Sequence, residues 1–93
     1  MKLTFPYNQA EHKADAYKRI HTYIHSESFE KLELSVDIEE NEPESIKATG
    51  KGFELLLVFA DQQMVLMINL SFFLKPLANK ISSRLNTEFS QLV

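Results

Sequence analysis

His21 and His25 are the residues of this chain whose spacing most directly suggests chemistry. Four positions apart on a helix, two imidazoles project from one face and can converge on a metal ion. His12 cannot join them, because it falls about half a turn round the same helix. His21 also shares an apolar arc with Tyr17 and Ile24. That setting favours a hydrogen-bonded histidine at the edge of a core, so neither a metal nor a cofactor is expected. A second group is the carboxylate run Asp37, Glu39, Glu40, Glu42 and Glu44, with no basic residue between Lys31 and Lys47. It lacks the spacing and the glycine of a calcium loop. Catalytic carboxylates need a dry cleft that raises one pKa, which an acidic turn does not supply. The run reads as a solvated turn.

Other chemistry is weaker still. Gly50-Lys51-Gly52 lacks the phosphate-loop pattern and precedes a strand-like segment, so it reads as a hairpin turn. Serines and histidines occur without a surrounding nucleophile motif. Phe72 and Phe73 can stack on bases, but no stripe of lysine or arginine accompanies them. They read as core or interface anchors. No catalytic residue is expected, and the chain is expected not to be an enzyme.

The totals agree with that. Ninety-three residues form one domain, 1–93, which buries only about 60–65% of its unfolded surface. Association would add to so small a core. A net charge of −3 is the wrong sign for generic binding to nucleic acid or an anionic membrane. The lack of cysteine excludes a disulfide framework and a thiolate metal site, and fits a reducing, cytoplasmic location. The segment MKLTFPYNQAEHKADAYKR has no apolar run, so a signal peptide is not expected.

The elements that must position these residues follow from periodicity. Residues 2–6, KLTFP, read as a short strand ended by Pro6. Asn8 then looks like a helix cap, with Glu11 completing a capping box. Ala10, Ala14, Tyr17, Ile20 and Ile24 form one helical stripe running to about His25. Leu32, Leu34, Val36 and Ile38 alternate with polar residues as a half-buried strand, followed by an acidic turn over 39–45. Alternation resumes at 45–49, the two glycines turn the chain, and strands follow at about 53–60 and 64–70. Finally Leu74, Leu77, Ala78, Ile81, Leu85, Phe89 and Leu92 fall within about 120° of a helical wheel. The predicted fold is α+β: an antiparallel sheet in the order β-α-β-β-β-β-α, with two helices packed on one face.

The most apolar stretch, GFELLLVFADQQMVLMINLSFFLKP at 52–76, tests this scheme. As a transmembrane helix it would place Asp61 near the bilayer centre at about 2.5–3.5 kcal/mol. Asp61-Gln62-Gln63 instead reads as a turn between two strands. Phe53, Leu55, Leu57 and Phe59, with Met64, Leu66, Ile68 and Leu70, then belong under the helices. Leu56, Val58, Ala60, Val65 and Met67 are left on the open face, as a candidate interaction surface or ligand groove. A strongly coiled sheet that covers its own second face is the alternative.

ATGKGFEL at 48–55, the hairpin that follows and LSFFLKPLANKISSRLNTEFSQL at 70–92 resemble the polyhydroxyalkanoic acid system proteins, a polyhydroxyalkanoate granule region family. The order of the N-terminal strand and helix extends the resemblance over nearly the whole chain. The resemblance implies a bacterial accessory protein of polyester storage and carries over no catalytic residues. Two functions follow as expectations. The first is a non-enzymatic interaction protein whose apolar sheet face makes a homodimer or meets a protein partner or a granule surface. The second is a small apolar-ligand carrier with a cavity between the curved sheet and the C-terminal helix. The large inner residues Phe53, Phe59, Leu66, Ile68 and Phe89 favour a filled core over that cavity.

Overall fold

The computed structural model describes residues 1–26 and 36–93. Among these residues there are five strands: β1 (Lys2–Pro6), β2 (Val36–Asn41), β3 (Ser45–Gly50), β4 (Phe53–Phe59) and β5 (Gln63–Leu70). The helices are α1 (Lys13–Ile24) and α2 (Ala78–Leu92), and a 3₁₀ segment, Phe72–Leu77, leads into α2. The strands form one antiparallel sheet in the order β1-β5-β4-β3-β2. The predicted α+β fold with two helices is therefore the observed one. Among the described residues, no helix is long and apolar enough to cross a membrane.

Strand alternation fixes which residues meet the helices. On the covered face Phe5, Ile46, Leu57, Phe59, Met64, Leu66 and Ile68 are buried, and α1 adds Ala16, Tyr17 and Ile20. Burying each large side chain contributes about 1.5–3 kcal/mol. Tyr17 packs edge-on against Phe59 at 5.3 Å between centroids. Phe89 of α2 sits between Phe5 and Tyr23, each at 6.1 Å and near-perpendicular. Such edge contacts add about 0.5–1.5 kcal/mol each.

Three local expectations shift. The helix starts at Lys13, not near Asn8, because the N–H groups of Asn8, Gln9 and Ala10 all donate to the Val93 carbonyl oxygen at 2.6–2.9 Å. The cap moves down by a turn. His12, extended at φ −161, accepts the Asp15 N–H at Nδ1, and the Asp15 carboxylate accepts the Glu11 N–H. That N–H, with Arg19 beside it, holds the Asp15 carboxyl below its usual range. Ala14 consequently faces solvent while Ala16 is buried. The strand expected at 32–38 is seen from Val36 and continues to Asn41, while Leu32 and Leu34 lie outside the described residues. Its acidic turn narrows to Glu42-Pro43-Glu44, where Lys13 meets Glu44 at 2.9 Å.

Candidate functional site

The open face of the sheet assembles most of the expected patch. Leu56 pairs with Met67 and Val58 with Val65, so the four side chains form two adjacent cross-strand rows. Polar residues close the patch on each flank: Lys2 beside Met67 and Thr4 beside Val65, then Lys47 beside Leu56 and Ser45 beside Val58. Ala60 lies past the end of β4 and joins no row. Met67 is 39% exposed, whereas Leu56, Val58 and Val65 are half-buried against one another. The patch is therefore narrow.

Greater apolar exposure occurs where β5 passes into α2. Phe72 is 88% exposed and Phe73 65%, with Leu77 beside them in the same 3₁₀ segment. This segment is fixed by the β3–β4 turn. Gly52 holds φ +85, and a Cβ there would lie 2.9 Å from Ser71 Oγ and 3.1 Å from Phe73 and Leu74. The Ser71 N–H donates to the Gly52 carbonyl at 2.7 Å. Glycine is needed at this position for both the left-handed backbone and the close approach.

A groove of about 320 Å³ is walled by Phe53, Leu55, Leu70, Leu74 (which directly follows the two exposed rings in the chain), Ile81 and Leu85, with Lys51 at its rim. It shares Phe53, Leu55 and Leu85 with a smaller apolar gap of about 70 Å³ that reaches Phe89 beneath α2. The large inner side chains thus pack closely under the middle of α1, whereas a groove remains at the first turns of α2 and a gap continues between its later turns and the Tyr23–Ile24 end of α1. The cause is the anchoring of that helix. Its C-terminal end is held by Val93, which is fully buried and bonded to the 8–10 backbone. Its N-terminal end is led in by the 3₁₀ segment, whose Phe73 and Leu74 pack on Gly52 just before β4. Leu74, Ile81 and Leu85 therefore present their stripe to a space that no other described element fills.

A third cluster lies at the opposite end of the covered face. Glu40 of β2 is hydrogen-bonded to His21 Nδ1, and its other oxygen lies 3.7 Å from His25 Nε2. The bond from His21 holds the Glu40 carboxyl below its usual range. His21 also stacks on Tyr17 with an interplanar angle of 13°. Burial, with Glu40 and Glu42 nearby, pushes the Tyr17 hydroxyl up. The histidine is hydrogen-bonded, as its neighbours in sequence suggest, but exposed and partnered by a strand carboxylate. Glu40 and Glu44 accordingly leave the solvated-turn reading of the acidic run. The His21–Glu40 contact escapes the sequence because it joins elements that are far apart along the chain, whereas the groove lies between the sheet and the C-terminal helix, where the ligand-carrier alternative expects a cavity. Comparison with family models, with curated proteins and with solved structures finds no match in any of the three.

Proposed function

We propose that this chain is a non-enzymatic interaction protein of the cytoplasm that pairs with a second copy of itself through the groove at the β5–α2 junction. One observation carries the proposal: two exposed aromatic rings, Phe72 and Phe73, directly precede Leu74, which walls an apolar groove. A twofold axis between them lets each copy's Phe72 and Phe73 enter the other's groove. Aromatic anchors in apolar pockets dominate the energetics of such contacts. Burying rings of this size removes about 150–250 Å² each from water. The open sheet face is the weaker candidate, because its apolar rows are narrow and flanked by lysines. The resemblance to polyhydroxyalkanoic acid system proteins supports an accessory role, and a granule surface is a further apolar partner of the same kind.

A second reading has its own observation. Lys51 at the rim of an otherwise apolar groove suits a ligand with an apolar tail and an anionic head.

Light scattering at about 100 µM, well above a micromolar Kd, separates these readings. Wild type should be dimeric, and Phe72→Ser with Phe73→Ser should be a folded monomer. Val58→Lys with Met67→Glu should remain dimeric. A monomeric wild type overturns self-pairing and leaves the ligand reading, for which decanoate binding lost in Lys51→Ala is the check. Dissociation of the Val58/Met67 variant alone would move the interface to the open face.

A further inference from the structure

We infer that His21, His25 and Glu40 form a binding site for a divalent first-row transition metal, with zinc as the reference ion. This goes beyond the interaction surface and does not depend on it. The spacing of four along α1 brings the two imidazoles to 4.5 Å between ring centroids. Glu40 reaches them from β2, 19 residues from His21 in the chain. One carboxylate oxygen meets His21 Nδ1, and the other lies 3.7 Å from His25 Nε2. One donor atom from each residue lies within 4.8 Å of the others.

These separations fit a metal. Tetrahedral zinc with bonds of about 2.0–2.1 Å holds its ligand atoms roughly 3.3 Å apart. The ion would replace the hydrogen bond between His21 and Glu40, and small side-chain rotations would open that contact. An open cleft of about 520 Å³, lined by Tyr17, Lys18, His21, Glu40 and Glu42, adjoins the cluster. It leaves the remaining coordination positions to water or to the Glu42 carboxylate. Among the described residues, Lys18 is the only cation on that wall, against two carboxylates.

The donor set selects the class of ion. Two imidazoles with one carboxylate suit zinc, copper, nickel or cobalt, whereas magnesium and calcium prefer all-oxygen shells. His12 is excluded by the structure as well as by its angle on the helix, because its Nδ1 accepts the Asp15 N–H as the cap of α1. The inference departs from the expectation of no metal because the third ligand is on a strand. A bound ion would tie the last turn of α1 to β2, and binding to the folded chain alone raises its stability by mass action.

Calorimetric titration with zinc chloride at neutral pH tests this, alongside histidine-ring NMR of the same sample. Wild type should bind one equivalent and melt several degrees higher with zinc. The His21 and His25 ring signals should shift while those of His12 stay in place. His25→Ala and Glu40→Gln should each weaken binding by at least about tenfold, and His12→Ala should leave it unchanged. Both altered side chains are solvent-accessible, and the NMR arm needs no substitution. Absence of binding at tenfold excess zinc, ring shifts at His12 alone, or equal affinity in the variants would overturn the site.

Discussion

The two helices both carry apolar stripes, and the sheet treats them differently. α1 buries Ala16, Tyr17 and Ile20 within 12 residues. α2, with 15 residues and the cleaner stripe, buries only Phe89. Both lie on the same face of the same sheet. The difference is in how their ends are tied. Lys13 holds the start of α1 to Glu44, and His21 and His25 hold its end to Glu40, so its middle is pressed onto β4 and β5. α2 is fixed by Val93 at one end and by the Gly52 contact at the other, so its middle spans a groove. A helical stripe states which face prefers burial. It does not state whether the fold supplies something to cover it.

The largest test of this contrast is a pair of equal truncations. Ile20→Ala, at a fully buried site, should destabilise the chain by about 2–5 kcal/mol. Leu85→Ala, at a half-buried groove wall, should lose only about 1 kcal/mol. Denaturant unfolding at low protein concentration reads both, and equal losses would mean that the groove is closed in solution. Next in size is the anchor of the N-terminal end of α2. Gly52→Ala forces a Cβ into left-handed backbone and against Ser71. It should cost about 1–3 kcal/mol, whereas the neighbouring Lys51→Ala should stay within about 0.5 kcal/mol.

The smallest effect concerns the loop that receives Val93. Tyr7 Oη donates to the Ala60 carbonyl at 2.7 Å. Tyr7→Phe should therefore lose about 0.5–1.5 kcal/mol in thermal melts. Burial, with Asp61 nearby, pushes the Tyr7 hydroxyl from 10.0 up to about 12. The folded chain then holds this proton more tightly than the unfolded one, so the contribution is complete below pH 10 and lost as pH rises towards 12. Tyr17 and Tyr23 are also pushed up by burial, so Tyr7→Phe should still lose stability over that range, but less steeply than wild type. Equal slopes would show that Tyr7 is open to water and that the loop does not clamp α2.

Much of the architecture is local and therefore legible. Alternation at 53–59 and 64–70 placed Leu57, Phe59, Met64, Leu66 and Ile68 on the covered face, because successive strand side chains must point to opposite sides. The turn at Gly52 was legible because positive φ selects glycine. The start of α1 was misplaced because Asn8 and Glu11 form a plausible cap by themselves. Only the arrival of Val93 takes the backbone donors at 8–10 away from them.

The sequence by itself thus determined the element types, the covered and open faces of each strand, and the residues that can act as ligands or anchors. Those properties follow from sterics and periodicity over a few neighbouring residues. The tertiary structure alone decided that β1 lies beside β5, that Glu40 meets His21 and His25, and that Phe72 and Phe73 stay exposed just before Leu74, a wall of the groove under α2. Each of these depends on closing long stretches of chain between distant positions, and periodicity within one element does not specify where another element will stop.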